Sequence, residues 1–446
     1  MVHSMNSLNV QSEDDRYLLS FLSRQFFNGF RENATNRNAV EFFLGRTCNL
    51  RCRYCYLRKY GELLYPYNEE KTIIIKNAKL LTDFLSEFNF RGRLEIFSGE
   101  PLIKEWTYDI IEYALDILPK AYIIIPTNMT FLFDESALAR VEELLKTKRV
   151  FLSASVDGKY LQDLNRPHKN GRKFQDSDWE SLFEFAKKWQ VPFHPMIYAK
   201  GMELWRKNFL WFMDMFKKYG MSYDDLYLLE VRNPEWTRKE SIELYKFMRF
   251  LTSYAYNEIS NCDEKKLVSF LFRQRGFNIL SSPFIKIGRG IGCSIQSTFT
   301  VRMSDLAIVP CHRTAYKQFI GGYFKDDGRK IVALRAHNPY IYVALMSVDA
   351  STLPYCEQCI LRDICSYGCF GAQYEFWGDP FIPIPSVCAM EYAKCAGIIE
   401  GFNHLKVLDD ILEKVFPEKA VRIENFLKVV EKNEFGRKIV GAKEDY

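Results

Sequence analysis

The sequence has no apolar run long enough to cross a bilayer. The best candidate, Tyr340 to Met346, is far shorter than the ~20 residues that a membrane-spanning helix needs. The first residues, Met-Val-His-Ser-Met-Asn, also lack a basic segment followed by an apolar stretch, which argues against a signal peptide. We therefore expect a cytoplasmic protein without a membrane partner.

Neither sign of charge is in marked excess. Lys and Arg number 61, Asp and Glu number 56, and the two signs are well mixed, which leaves a net charge of +5. Proteins that bind nucleic acid concentrate Lys and Arg on one face, and this composition gives no sign of such a stripe. The sequence therefore predicts no nucleic-acid partner.

What the sequence does contain is a large potential core and many cysteines. With 446 residues, of which 48% are hydrophobic, the chain can bury a sizeable core and should hold more than one structural unit. Its 12 cysteines occur at spacings typical of metal ligands. In a reducing compartment such spacing indicates metal binding and not disulfides.

Three of these cysteines form the pattern C-x3-C-x2-C at Cys48, Cys52 and Cys55. Three thiols on one loop can wrap a single inorganic cluster, and three ligands suit a [4Fe-4S] cluster that keeps one iron open for chemistry. The alternative is a zinc knuckle, but zinc sites usually show two C-x2-C pairs or Cys and His together.

This loop resembles the signature of the radical S-adenosylmethionine (SAM) superfamily, C-x3-C-x-aromatic-C, with Tyr54 at the aromatic position. The resemblance implies that SAM chelates the fourth iron and is split by one electron into methionine and a 5′-deoxyadenosyl radical. It also implies a reducing partner such as flavodoxin or ferredoxin. The cofactor would carry the chemistry, while the protein orients it and excludes water.

Around the loop, short apolar runs alternate with amphipathic helical patterns. The predicted strands are Val40–Leu44, Leu94–Phe97, Tyr122–Ile125, Val150–Ser155, Phe193–Tyr198 and Leu226–Val231. The predicted helices cover about 69–88, 106–118, 135–146, 179–189 and 203–218. This alternation predicts an α/β fold with a parallel sheet, a partial (β/α)6 TIM-like barrel whose active site lies at the carboxyl ends of the strands.

Two segments after these strands resemble other superfamily motifs. Phe97-Ser98-Gly99-Glu100-Pro101 is similar to the family's Gly-Gly-Glu-Pro turn, with Ser98 in place of the first glycine, which implies that Ser98, Gly99 and Glu100 contact the SAM ammonium group. Ser153 to Gly158, with Arg166 beyond it, resembles a Ser-x-Asp-Gly…Arg segment. This implies ribose contact by Ser155 and carboxylate contact by Arg166. Asn128, after the third predicted strand, matches a further position that the superfamily uses, which implies that it also contacts SAM.

A second group of cysteines follows residue 290. Cys356-x2-Cys359-x5-Cys365-x3-Cys369 is preceded by Cys293 and Cys311 and followed by Cys388. The spacing resembles the SPASM extension of radical SAM enzymes. The resemblance implies one auxiliary [4Fe-4S] cluster on Cys356, Cys359, Cys365 and Cys388, and another on Cys293, Cys311 and Cys369.

Several points of this second group stay open. Seven cysteines are one short of two four-thiolate clusters, so one iron is either open or held by another residue. Cys395 competes with Cys388 as a ligand, and a zinc ribbon is the alternative for the C-x2-C pair. The glycine that the family places five residues before its second cysteine is Leu306 here.

His312 directly follows Cys311. In sulfatase-maturing enzymes the residue at this position is an aspartate that takes the substrate proton, so His312 is our candidate catalytic residue. A histidine titrates near neutral pH and could accept a proton or donate to a cluster sulfur, but it could equally be a packed core residue.

We expect five segments along the chain. They are an N-terminal extension (1–38), the radical SAM partial barrel (39–235), a helical bridge (236–289), a small cysteine-rich α+β SPASM domain (290–395) and a helical tail (396–446). We expect no additional leader-binding domain at either end, so a peptide substrate would be recognised by the barrel surface or by a separate leader-binding protein.

The function that these motifs imply is maturation of a ribosomally made peptide or a protein. Hydrogen abstraction from one of its residues would give an oxidised side chain or a thioether or carbon–carbon cross-link. The alternatives are a radical SAM enzyme acting on a small metabolite, sulfatase-type maturation, and a non-catalytic iron–sulfur electron-transfer or binding protein.

Overall fold

The structure is a computed structural model. It describes residues 8–23, 39–59, 70–259, 278–284, 298–348, 353–362, 364–365, 368–414 and 417–432. Cys293, a predicted ligand, lies outside the described residues, so its role stays a prediction.

The first helix, α1 (Glu13–Leu22), is capped at its N-terminus by Ser12, whose Oγ accepts a hydrogen bond from Asp15 N. A carboxylate oxygen of Asp15 in turn accepts from the backbone N–H of Ala336 at 2.7 Å. The N-terminal segment is thereby joined to a strand more than 300 residues later in the sequence.

Residues 39–219 alternate strands and helices as predicted. The strands are β1 (Ala39–Phe43), β2 (Arg93–Phe97), β3 (Tyr122–Thr127), β4 (Val150–Ala154) and β5 (Met196–Ile197). The helices are α2 (Tyr56–Lys59), α3 (Lys71–Glu87), α4 (Glu105–Ile117), α5 (Glu135–Lys146), α6 (Gln162–Asn165), α7 (Asp176–Trp189) and α8 (Trp205–Tyr219). Asp134 caps α5, since its Oδ1 accepts from Ala137 N at 3.0 Å.

The remaining elements complete the chain. The strands are β6 (Leu229–Glu230), β7 (Thr298–Arg302), β8 (Ala307–Val309), β9 (Gly322–Asp326) and β10 (Ile331–Ala336). The helices are α9 (Arg238–Ile259), α10 (Ile341–Ser347), α11 (Pro354–Glu357), α12 (Phe370–Trp377), α13 (Pro385–His404), α14 (Leu408–Lys414) and α15 (Ala420–Lys432).

Strand β1 lies inside an eight-stranded sheet with the order β10-β9-β8-β7-β1-β2-β3-β4. It runs parallel to β2 on one side and to β7 on the other, and Glu41 stands opposite Glu95 and Thr300. Side chains alternate across a strand, so these three share one face of the sheet. We call them the polar row. Val40 and Phe42 point to the other face and join the apolar core.

The last two predicted barrel strands are shorter than expected. β5 and β6 pair with each other in parallel, and single bridges from Ala154 to Phe193 and from Phe193 to Leu226 continue the order of the sheet. Pro195 precedes β5 and has no amide hydrogen for a ladder. The amide of Met196 donates to the Asp157 carboxylate at 3.0 Å, which gives it a partner outside the sheet.

The predicted boundary between 395 and 396 falls inside the continuous helix α13, so it does not mark a break in the backbone. The helix continues because it packs closely on α9. A side chain at Gly397 would place its Cβ 2.5 Å from the backbone oxygen of Tyr245, so only glycine allows this approach. The rest of the division into domains stays a prediction.

The fold class is as predicted: a mixed α/β fold with a mostly parallel sheet, followed by a cysteine-rich region. In the described part of the chain, no helix is both long and apolar enough to cross a membrane.

Candidate functional site

The loop with Cys48, Cys52 and Cys55 follows β1 at its carboxyl end, and all three thiols are half-buried. Backbone hydrogen bonds hold the loop against residues 165–169. Arg51 N donates to Pro167 O at 2.8 Å, Arg53 N to Asn165 O at 2.8 Å, and Lys169 N to Asn49 O at 2.9 Å. The loop is therefore fixed by the segment that carries Arg166.

Two N–H groups point at the sulfur of Cys48. The backbone amide of Leu50 lies 3.3 Å from Sγ and the side-chain amide of Asn128 lies 3.8 Å from it. Such donors favour thiolate ligands and tune iron–sulfur clusters. Burial raises the pKa of the Cys48 thiol to about 11 and that of Cys52 to about 12, so bound iron would displace their protons.

The arrangement of donors bears on the choice between zinc and a cluster. Among the described residues, no three Cys, His, Asp or Glu side chains converge closely enough to hold a single metal ion. A [4Fe-4S] cluster distributes its thiolates over several irons and needs no such convergence. Three half-buried thiols on a fixed loop with N–H donors at one sulfur fit this kind of group.

The Ser98–Glu100 turn lies directly against the start of the cysteine loop. Gly99 N donates to Gly45 O at 3.1 Å and Glu100 N to Thr47 O at 2.9 Å. A Cβ at Gly99 would lie 2.3 Å from the backbone oxygen of Arg46, which explains the glycine at this position. The two predicted motifs are thus brought together.

Glu100 is buried, and three donors surround its carboxylate. They are Asn128 N at 2.6 Å, Thr127 Oγ1 at 2.8 Å and Leu102 N at 3.2 Å. These hydrogen bonds lower the pKa of Glu100, but burial outweighs them and raises it to about 7. Asn128, also predicted, therefore joins Glu100 to the sulfur of Cys48.

Asp157 organises a third set of contacts. Its carboxylate accepts from Tyr54 OH at 2.8 Å and Arg166 Nε at 2.9 Å, in addition to the Met196 amide. The Arg166 guanidinium also lies 5.3 Å from the centre of the Tyr54 ring. Two predicted SAM-site residues are thus oriented by a carboxylate that is itself fully buried.

Ser98 and Ser155 occupy the ends of β2 and β4. Ser98 is buried, and its Oγ accepts from Lys104 Nζ at 3.5 Å. Ser155 donates its backbone N–H to Thr127 O at 2.7 Å. Both residues lie at the same edge of the sheet as the cysteine loop, as predicted for residues at the carboxyl ends of parallel strands.

His312 lies against the polar row. Its Nδ1 is 2.9 Å from Glu41 Oε2, and its ring stacks on Phe97 with centroids 4.0 Å apart. Burial lowers the pKa of His312, but Glu41 and then Glu95 outweigh this effect and raise it. In the described part of the chain no hydrogen-bond partner reaches Glu41 Oε1 or Tyr56 OH, although both atoms are buried.

The predicted inner auxiliary ligands Cys311 and Cys369 share neighbours. Arg313, two residues after Cys311, ion-pairs with Glu375 at 2.6 Å. Burial lowers the pKa of Arg313, but the negative charges of Cys369 and Glu375 outweigh this effect and raise it. The Thr314 hydroxyl lies 3.5 Å from the sulfur of Cys311. The structure thus places Cys369 near the segment that follows Cys311.

The outer ligand candidates also influence one another. Although Cys388 is exposed as a whole residue, the pKa of its thiol is raised, first because surrounding protein displaces solvent from it and then by the charges of Cys356 and Cys359. Cys388 also lines a cavity together with Cys365 and Cys369. Cys395 is fully buried, and its thiol contacts Ile364 O at 3.7 Å.

The sequence interpretation missed Glu41, Glu95 and Asp157. A signal for Glu41 was available, because it is the only charged residue in the otherwise apolar strand β1. Buried carboxylates are rare unless they are paired or functional. Asp157 stood inside the Ser-x-Asp-Gly segment without an assigned role.

No family model matches the chain. Among curated proteins, the uncharacterized protein MJ0907 of Methanocaldococcus jannaschii is 26% identical over 152 residues, which are 33% of this chain and 47% of that protein. The chain thus spans less than half the length of this relative.

Solved structures resemble much more of the chain. Native anSMEcpe with bound AdoMet (SAM) has a TM-score of 0.57 at 16% identity, covering 84% of this chain and 100% of that chain. The same protein with AdoMet and the Cp18Cys peptide has a TM-score of 0.55 at 17% identity, covering 84% and 99%. Streptococcus suis SuiB bound to S-adenosylmethionine has a TM-score of 0.49 at 13% identity, covering 84% and 78%.

The chain has the fold of anSMEcpe, an anaerobic sulfatase-maturating enzyme. The fold that the radical SAM and SPASM resemblance implies is therefore confirmed.

Proposed function

We propose that this protein is a radical SAM enzyme with auxiliary iron–sulfur clusters that abstracts hydrogen from a residue of a ribosomally made peptide or a protein. The observation that carries the proposal is the position of the Cys48–Cys55 loop. It lies at the carboxyl end of β1, in contact with the Glu100 turn and with Asn128. Three motifs separate in sequence thus meet at one edge of the sheet.

In this proposal Cys48, Cys52 and Cys55 hold the cluster that binds SAM. When bound, the group supplies reductive cleavage of SAM to the 5′-deoxyadenosyl radical. Ser98, Gly99, Glu100, Asn128, Ser155 and Arg166 orient SAM, and Tyr54 packs beside them. Glu100 contributes a carboxylate for the SAM ammonium group, and Asp157 keeps Tyr54 and Arg166 in place.

His312 is the proposed proton acceptor, and Glu41 fixes its Nδ1 side. This leaves Nε2 as the nitrogen for the substrate. The buried Glu41 Oε1 and Tyr56 OH atoms next to it supply polar groups that a substrate can contact. Because Tyr56 adjoins Cys55 and His312 adjoins Cys311, the substrate residue would lie between the SAM cluster and the inner auxiliary cluster.

A peptide substrate is supported by the anSMEcpe complex, which holds a Cp18Cys peptide. The product would be an oxidised or cross-linked side chain. The auxiliary clusters on the second cysteine group would carry electrons or bind the substrate. A reducing partner such as flavodoxin or ferredoxin, a separate leader-binding protein and a cytoplasmic location complete the proposal.

The test is iron and sulfide analysis after anaerobic reconstitution, together with an assay for 5′-deoxyadenosine with SAM and dithionite. We expect about twelve irons per chain and 5′-deoxyadenosine formation. The control replaces Cys48, Cys52 and Cys55 by alanine, which should remove about four irons and all SAM cleavage.

Zinc in place of iron would contradict the proposal. A fully loaded protein that leaves SAM intact would leave the non-catalytic iron–sulfur protein as the better interpretation. Once 5′-deoxyadenosine forms, peptides and small metabolites are tested as substrates. His312→Ala should then retain SAM cleavage but lose the modified product, and equal product from both proteins would remove His312 from the mechanism.

A further inference from the structure

Arg232 lies two residues beyond β6. Its side chain is 17% exposed, and its guanidinium reaches into the cysteine-rich region. Nη1 donates to the backbone oxygen of Gly368 at 3.2 Å, between Cys365 and Cys369. Nη2 ion-pairs with Glu391 Oε1 at 3.2 Å.

Arg232 belongs to a buried network of four charges. Glu391 also pairs with Lys394 at 2.8 Å, and Lys394 pairs with Glu230 at 2.5 Å. Lys394, Glu391 and Glu230 are all less than one-tenth exposed. The charges of the two cations and the two carboxylates cancel. The carboxylate of Glu391 and the carbonyl of Gly368 hold the Arg232 guanidinium in one place.

The cavity described above is lined by Arg232 and Glu391 and by three predicted cluster ligands. These ligands are Cys365, Cys369 and Cys388. By the proposed assignment they belong to both auxiliary clusters. A fixed cation thus lines the same cavity as predicted ligands of two separate proposed centres.

We propose that Arg232 raises the reduction potential of the auxiliary iron–sulfur centre that lies against it, and that Glu391 lowers it. Reduction adds one negative charge to a cluster, and a nearby buried cation stabilises that charge more than solvent does. Arg232 is therefore a positioning residue for electron flow that does not itself bind iron. The inference rests on the proposed function, because it requires auxiliary clusters.

The test measures midpoint potentials by potentiometric titration followed by electron paramagnetic resonance. All proteins carry alanine at Cys48, Cys52 and Cys55, so that only auxiliary signals remain. Arg232→Gln should make one auxiliary signal about tenfold harder to reduce, a shift of 59 mV for one electron. Glu391→Gln should shift the same signal in the opposite direction.

Arg140→Gln is the matched control. It removes the same charge from a guanidinium that pairs with Asp109 and Glu112 at the surface. We expect no change in any auxiliary signal. Opposite shifts from Arg232 and Glu391 with none from Arg140 would be the signature of a charge acting locally, since general loosening of the fold moves all variants the same way.

Unchanged potentials in Arg232→Gln, or shifts of the same sign in both test variants, would overturn the proposal. If Arg232→Gln does not load iron, the midpoint potentials of Arg232→Lys and Glu391→Gln test the proposal in its place. The equilibrium constant for reducing the auxiliary signal in Arg232→Lys should stay within threefold of that of the parent protein. The same signal in Glu391→Gln should be easier to reduce than in the parent. Failure of either expectation overturns the proposal. A parent protein without the expected roughly eight auxiliary irons would instead contradict the proposed function itself.

Discussion

The hydroxyl of Tyr54 donates a 2.8 Å hydrogen bond to Oδ2 of Asp157, while Oδ1 of the same carboxylate accepts from Arg166. Asp157 is fully buried and Arg166 nearly so. This one carboxylate therefore connects the cysteine loop after β1 to the segment after β4. Two motifs that are far apart in sequence share a single electrostatic partner.

Asp157→Asn should strongly destabilise the cluster-free protein. The amide cannot neutralise Arg166, and an uncompensated buried charge costs about 3–5 kcal/mol. Urea denaturation of Asp157→Asn, Arg166→Gln and the double variant should show a coupling energy of about 2 kcal/mol. Glu142→Gln, which breaks the exposed pair with Lys188, is the control and should change stability by less than about 1 kcal/mol. Additive effects of the two buried changes would contradict the pairing.

Glu100 should make the stability of the cluster-free protein depend on pH. Burial raises its pKa from 4.5 to about 7 in the folded protein. The stabilisation linked to its protonated form is fully present below pH 4.5 and is lost as the pH rises through 7, by about 3 kcal/mol. From pH 5 to pH 8, the free energy of unfolding measured in urea should therefore fall more for the parent protein than for Glu100→Gln. Parallel pH profiles of the two proteins would show that Glu100 ionises normally.

At position 306 the glycine variant should be more stable than the alanine variant, which is the reverse of the order expected in a helix. Leu306 adopts φ +58 in the turn between β7 and β8, and its side chain is only 2% exposed. Replacement by either residue loses about 2–5 kcal/mol of packing. Glycine additionally relieves the left-handed backbone, so Leu306→Gly should be about 1 kcal/mol more stable than Leu306→Ala.

Leu251, which is fully buried in α9, provides the comparison for Leu306. In a helix, glycine should be about 1 kcal/mol less stable than alanine. Thermal or urea unfolding of the four variants tests both orders. The same order at both positions would mean that the φ of Leu306 carries no energetic cost.

Iron analysis should separate Cys388 from Cys395. Cys388 lines the cavity with Cys365 and Cys369, whereas the Cys395 thiol points to a backbone carbonyl in a fully buried position. Cys388→Ala should lose about four irons after reconstitution, and Cys395→Ala should lose none. The reverse result would assign the ligand role to Cys395.

The first four strands and the cysteine loop are predictable because their signals are local. Each strand is a short apolar run, and the spacing of Cys48, Cys52 and Cys55 needs no knowledge of the fold. The position of the Glu100 turn beside the loop follows from parallel strand ends meeting at one edge. These parts of the site are specified within short windows of sequence.

Other parts depend on contacts between distant segments. Glu41 and His312 are 271 positions apart, so no local pattern could join them. The parallel pairing of β7 with β1 places strands from the cysteine-rich part in the same sheet as the barrel strands, which composition could not show. The shortened β5 reflects a competing partner, because Asp157 takes the Met196 amide.

The pairing of β7 with β1 also sets an order of assembly during synthesis. At about 5–20 residues per second, β1 leaves the ribosome roughly tens of seconds before β7 is available to cover its second edge. Until then an apolar strand next to the cysteine loop keeps a row of open hydrogen-bonding groups, which can recruit other nascent chains. A chain truncated before residue 298 should therefore accumulate in insoluble form, even though it retains every predicted SAM-binding residue.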